Sequence, residues 1–301
     1  MAALFWQGVL GTGIVLSVLL DLVARKVFGL PAGASLALLP VILVLSPWML
    51  AGFALGVWRP HAQGASVRGL ASLRSLLSME PALWAVAALS MSAEWSGRRT
   101  WGASQSPAVR RPVLLIHGLL CNRALWRPLC KRLNRSGWGP VRAVNLEPLM
   151  ADIDSHAKCI EHELLALQAH CGGERVTIIA HSMGGLVARA ALRAAGPGAV
   201  RRIVTVACPH HGTLFAPHLK ATPLRQMRAT SGWLRALNDA QERRLPVPVT
   251  SIYSVDDPLI VPARSAALAS ARCQELRGLG HFGLVRARAS VERILEALAV
   301  E

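Results

Sequence analysis

The chain has few acids to set against its bases, no closely spaced pair of cysteines, and no charge over two long stretches near its N-terminus. Each absence excludes something. The six cysteines, Cys121, Cys130, Cys159, Cys171, Cys208 and Cys273, form no Cys-x-x-Cys pair, which argues against a disulfide framework and against a zinc site. Thiols spread in this way fit a reducing compartment, and Cys208 within Val204-Thr205-Val206-Ala207-Cys208 reads as a small core residue. Asp and Glu number 17 against 33 Lys and Arg, a net charge of +16, yet no basic-aromatic motif accompanies the excess. No nucleic-acid partner is therefore expected. A surface resting on anionic lipid headgroups and a plain arginine-rich composition explain the charge equally well.

Residues 2–20 contain no charge in 19 positions, and residues 30–58 none in 29. The first run just reaches the length that crosses a bilayer and the second exceeds it, with Pro31, Pro40 and Pro47 allowing a kinked or partly re-entrant span. A cleaved signal peptide is the alternative for 2–20, but that run lacks a basic leader and a second apolar run follows at once. Two spans are expected, forming an anchor over 1–60. They return the rest of the chain to the side of the N-terminus. Arg59, Arg68 and Arg74 precede the first acid, Glu80, while the short loop between the runs carries Asp21, Arg25 and Lys26, so the positive-inside rule puts that side in the cytoplasm.

Residues 61–110 read as an amphipathic helical connector and linker, with Leu70, Leu73, Leu76 and Leu77 at helical spacing. From residue 111 to 301 strand and helix alternate. Strands are expected at 113–116, 141–145, 176–180, 202–207, 249–253 and 273–276, and helices at 123–133, 155–170, 183–194, 263–269 and 284–299. That alternation predicts an α/β fold, a mostly parallel sheet with helices on both faces and its loops gathered at the strand C-terminal edge. The excursion 211–245 is long for a simple connection and predicts a helical lid or cap above that edge.

The most informative residues are Ala180-His181-Ser182-Met183-Gly184-Gly185, between the β-branched run ending at Ile179 and an apolar helical pattern. A serine among small residues where a strand turns sharply into a helix is a nucleophile elbow, with Ala180 replacing the usual first glycine. Gly184 keeps the turn free of bulk. A serine needs a base and the base needs a carboxylate, in the order Ser, acid, His. Asp256 and Asp257 follow the strand at 249–253, and His281 lies in the glycine loop Gly278-Leu279-Gly280-His281 before the last helix. Only one of the adjacent aspartates can face the imidazole. The oxyanion donors are expected from the Met183 amide and, after the first strand, from Leu119 in His117-Gly118-Leu119-Leu120. His117 braces that loop, and His181 packs with its side chain directed away from the substrate. His210 and His211 also read as bracing, since further metal ligands are not evident.

These motifs, with Pro209-His210-His211-Gly212-Thr213, resemble those of bacterial triacylglycerol lipases and related esterases of the α/β-hydrolase fold. The resemblance spans about residues 111–300. Cys121-Asn122-Arg123 and Val144-Asn145-Leu146-Glu147-Pro148 resemble a proteobacterial subgroup, several members of which carry N-terminal membrane segments. In that subgroup the acid is followed by Asn or Pro and then Leu-Ile-Val-Pro, which implies Asp257 rather than Asp256. The resemblance implies a serine esterase acting on carboxylic esters with Ser182, Asp257 and His281 as its triad and no cofactor; the expected anchor and apolar insertion add acyl lipids as substrates and the inner membrane as the address. His281 lacks the flanking acidic pair that holds calcium in secreted lipases, so no metal is expected. Acyl transfer or thioester cleavage on the same triad, and a non-catalytic membrane scaffold, are the alternatives.

Overall fold

The computed structural model describes residues 111–214, 221–241 and 245–299, with isolated positions Leu4, Gln7 and Met91. Both apolar runs of the expected anchor, and almost all of the connector, lie outside the described residues. No helix among the described residues is long and apolar enough to cross a membrane.

Six parallel strands form one sheet in the order β2-β1-β3-β4-β5-β6. They are β1 (Val113–Ile116), β2 (Val141–Val144), β3 (Val176–His181), β4 (Val200–Val206), β5 (Val249–Ser254) and β6 (Arg272–Leu276). Parallel strands covered on both faces need apolar side chains in both directions. Accordingly β1 (Val-Leu-Leu-Ile) and β3 (Val-Thr-Ile-Ile-Ala-His) are buried along their whole length. Alternation then divides the core. Leu114, Ile116, Ile178 and Ala180 pack on one face, under α2 (Ile153–His170) and α3 (Met183–Ala195). Val113, Leu115 and Ile179 pack on the other, with α1 (Arg127–Arg135) and, near the C-terminus, α7 (Arg288–Ala299).

Three expected helices differ. Residues 263–269 form only a 3-10 turn, Ala263–Ala266. The carbonyls that would continue it are taken elsewhere: Ser265 O accepts from the His211 N–H at 2.9 Å and Ala266 O from Ser251 Oγ at 2.7 Å. The last helix is split into α6 (Gly283–Arg286) and α7, because Ala287 is extended and Ser290 Oγ donates to the Leu284 carbonyl. Residues 123–126 are likewise a 3-10 turn preceding α1, capped by Asn122, whose Oδ1 accepts from the Ala124 N–H at 3.1 Å.

The excursion after β4 contains α4 (Thr222–Gln226) and α5 (Gly232–Gln241). Its described part is bonded to the body at several points. Gln226 Oε1 accepts from the Ile153 N–H at 2.8 Å, and Trp233 Nε1–H donates to Asp154 Oδ2 at 2.6 Å. At the far end, Arg189 Nε–H donates to Gln241 Oε1 at 2.9 Å while Gln241 Nε2–H donates to the Arg189 carbonyl at 3.0 Å.

Candidate active site

The predicted residues come together at the C-terminal edge of the sheet. Gly118 and Leu119 follow β1, Ser182 follows β3, Asp257 follows β5 and His281 follows β6. Ser182 has φ 55° and ψ −128°, left-handed backbone that a non-glycine residue adopts only under constraint. Its N–H remains tied to the sheet through Val206 O at 2.9 Å, so the strand ladder holds one side of the turn. On the other side α3 begins at once, and the Ser182 side chain makes no capping bond to it.

The close approaches explain the small residues. A Cβ on Gly184 would lie 2.4 Å from the His117 carbonyl oxygen, and one on Gly185 would lie 2.5 Å from Cys208 Sγ. A Cβ on Gly118 would lie 2.8 Å from that of Ser182. Ala180, where glycine is usual, is fully buried opposite Ile116 and Thr205, so its methyl group is accommodated within the sheet.

His281 Nδ1–H donates to Asp257 Oδ2 at 2.8 Å, with both side chains almost fully buried. The other carboxylate oxygen of Asp257 accepts from the N–H groups of Leu259, at 2.8 Å, and Ile260, at 3.2 Å. These two bonds fix the carboxylate before it meets the ring. Asp256 is turned elsewhere and accepts from the Gly278 N–H at 2.7 Å.

Three other histidines near the cleft are buried. His117 Nε2 accepts from the Leu146 N–H at 2.9 Å, which leaves its Nδ1–H to donate to the Gly118 carbonyl at 2.8 Å. Burial pushes its pKa down to about 4, partly offset by the Gly118 bond, so the ring is neutral and spans two loops. His210 is held between Arg189, which donates to Nδ1 at 3.2 Å, and Thr205 Oγ1, 3.0 Å from Nε2. Burial, then the charge of Arg189, keeps His210 well below the usual imidazole range.

The expected orientation of His181 requires correction. Its ring does not turn away from the site but lies 4.6 Å, centroid to centroid, from that of His281, and its Nε2–H donates to the His281 carbonyl at 3.3 Å. Strand alternation is the reason: residue 181 shares the sheet face of Ile179, where Phe282 also packs. Burial, then neighbouring His281, holds His181 neutral as well.

A cleft with about 700 Å³ of empty space, part of it open solvent, is lined by Ser182, His281 and Leu119 and by the apolar side chains of Leu224, Met227 and Ile260. Cys121 also lines it, its thiol pushed up to about 12 by burial. Met183, the other expected oxyanion residue, is buried at the start of α3. Among the described residues no cluster of His, Cys, Asp and Glu could hold a metal ion. Sequence reasoning missed the tether from Asp256 to Gly278 and the burial of Arg189. The doubled Asp256-Asp257 was the one available signal for the first; a lone arginine among Leu186, Val187 and Ala190 was the signal for the second.

This order of strands, with the serine turn after β3 and the His–Asp pair after β6 and β5, defines the α/β-hydrolase fold, and the chain has it. More particularly, residues 143–264 match the family described as PGAP1-like alpha/beta domain. Among solved structures, the mature form of Bacillus licheniformis lipase BlEst2 superposes with a TM-score of 0.57 at 15% identity, covering 66% of this chain and 97% of that one. Aspergillus fumigatus lipase B also gives 0.57, at 18% identity over 64% of this chain, which spans only 53% of the fungal protein. No curated protein sequence matches the chain.

Proposed function

We propose that the protein is a serine hydrolase of the lipase or esterase type that cleaves carboxylic esters through an acyl-enzyme. The observation that carries this reading is the 2.8 Å bond from His281 to Asp257 in the cleft that Ser182 also lines. With the Nδ1 proton committed to Asp257, Nε2 keeps the lone pair that a general base needs. Ser182 Oγ attacks the ester carbonyl carbon as Nε2 takes the hydroxyl proton. The Leu119 and Met183 N–H groups stabilise the oxyanion, and the tetrahedral intermediate collapses with the proton passing to the leaving alcohol. Water then attacks the acyl-enzyme by the same route, and His281 returns the proton to Ser182.

The apolar cleft favours an uncharged acyl group, and acyl lipids are the substrate class proposed. An anchor of two spans over 1–60, a connector over 61–110 and a catalytic domain over 111–301 place that chemistry beside a membrane, with the catalytic domain on the cytoplasmic face. A fluorophosphonate probe is expected to label the wild type and not Ser182→Ala, and hydrolysis of long-chain esters in micelles is expected to exceed that of short p-nitrophenyl esters. Absence of labelling in both proteins overturns the hydrolase. Turnover of short esters alone overturns the lipid substrate.

A further inference from the structure

Resting on that reading, we infer that Asp256 is a positioning residue, distinct from the triad, that holds the loop carrying His281 through a bond to the Gly278 N–H. The local geometry leads there directly. β5 and β6 run parallel in register, with Ser254 opposite Leu276, and just beyond that pair the Val255 N–H donates to Leu276 O at 3.2 Å. Beyond Leu276 the chain must leave the ladder to carry His281 back over the sheet edge, and it turns at Gly278 with φ 69°. There Asp256 Oδ2 accepts the Gly278 N–H at 2.7 Å, so a side chain ties the loop after β6 to the loop after β5.

Asp256 is itself held. Its N–H donates to Ser254 Oγ at 3.1 Å, and Ser254 is buried. The adjacent carboxylates therefore grip one loop at two places three residues apart: Asp256 at the Gly278 amide, Asp257 at the His281 ring. Their demands differ chemically. Asp257 meets an imidazole that becomes cationic during the reaction, which requires a negative charge. Asp256 meets a neutral amide, which requires only an acceptor oxygen, and an asparagine supplies one.

The same carboxylate-to-amide change should thus have opposite results at adjacent positions. In the full-length protein, Asp256→Asn is expected to keep kcat within about twofold of wild type, while Asp257→Asn loses about 10⁴-fold. Asp256→Ala, which removes the acceptor, should lower kcat about 10- to 100-fold with KM nearly unchanged, because the acyl-binding walls are untouched. The low-field imidazole N–H proton signal of the His281–Asp257 bond adds a readout that does not depend on turnover. It should persist in Asp256→Asn and broaden in Asp256→Ala. The inference is overturned if Asp256→Asn falls as far as Asp256→Ala, or if Asp256→Ala matches wild type in both kcat and the proton signal. Should Asp256→Ala fail to fold, Asp256→Ser, too short to span to Gly278, takes its place with the same expectations. A wild type that neither turns over esters nor reacts with fluorophosphonate refutes the hydrolase, and the proton signal still reports on the tether.

Discussion

The two walls of the cleft are held by different forces. On the Ser182 side, glycines meet their neighbours too closely to admit a Cβ: Gly118 against the Ser182 Cβ, Gly184 against the His117 carbonyl, Gly185 against the Cys208 side chain. The polar groups there are neutral histidines buried between loops. On the His281 side, the loops beyond β5 and β6 are held by carboxylate oxygens accepting N–H groups, from Leu259, Ile260 and Gly278. The first wall is specified by volume, the second by acceptors. Added bulk should break the first wall and a lost acceptor the second.

The largest effects are expected where both walls meet the reacting atoms. On the proposed mechanism, Ser182→Ala should remove about 10⁶-fold from kcat and Asp257→Asn about 10⁴-fold, since loss of the nucleophile is absolute whereas loss of the charge leaves base and oxyanion donors in place. Steady-state turnover of a soluble ester measures both. Equal losses at the two positions would mean that the acid–base wall supplies the imidazole's geometry as well as its charge.

The walls also differ in how well they could be read from sequence. The elbow was legible because its requirements are local: a β-branched strand, a serine, and residues without bulk at fixed offsets. Strand positions were legible for the same reason, since burial on both faces demands continuous apolar runs such as Val113-Leu114-Leu115-Ile116. The role of Asp256 was not legible, because an acceptor serving an amide 22 residues away leaves no local pattern. Nor was the shortened helix after residue 262, which ends because distant donors from His211 and Ser251 claim its carbonyls. His181 was misread on direction alone, and the parity of β3 decided it.

Acid should separate the walls next. His117 has its pKa lowered from 6.5 to about 4 by burial, so between those values the unfolded chain binds the proton that the folded chain excludes. Stability from this residue is complete above pH 6.5 and falls as pH drops towards 4, by about 3 kcal/mol across the window. Urea unfolding at pH 7.5 and 4.5 measures the slope. His117→Gln, which retains an acceptor for the Leu146 N–H and cannot titrate, should flatten it. An unchanged slope would move the acid sensitivity to another buried histidine.

Gly184→Ala tests volume directly. Its Cβ would meet the His117 oxygen at 2.4 Å and the Ile116 oxygen at 2.8 Å, both backbone atoms that cannot rotate away. A loss of about 1–3 kcal/mol is expected, seen as a lower thermal midpoint. Activity should fall with it, because the displaced strand leads into the loop proposed to supply the Leu119 N–H. The matching experiment on the opposite wall, Asp256→Ala, should lower activity with a smaller change in midpoint, and reversal of that order would erase the distinction.

The smallest expected effect concerns a third wall, α4 and α5 of the excursion after β4. Trp233 Nε1–H donates to Asp154 Oδ2 at 2.6 Å, and Arg193 lies 3.6 Å from the other oxygen of that partly exposed carboxylate. Trp233→Phe removes the donor and keeps an aromatic ring, so about 1 kcal/mol of stability should be lost. The informative reading is functional. If the described part of that excursion is a fixed wall, bonded through Gln226, Asn238 and Gln241 as well, loosening one bond lowers the thermal midpoint and leaves the dependence of rate on micelle concentration unchanged. If the excursion works as a hinged lid, the same loosening raises turnover of dissolved esters relative to micellar ones. Rate against substrate concentration, measured on both sides of the critical micelle concentration, separates a wall held by acceptors from one designed to open.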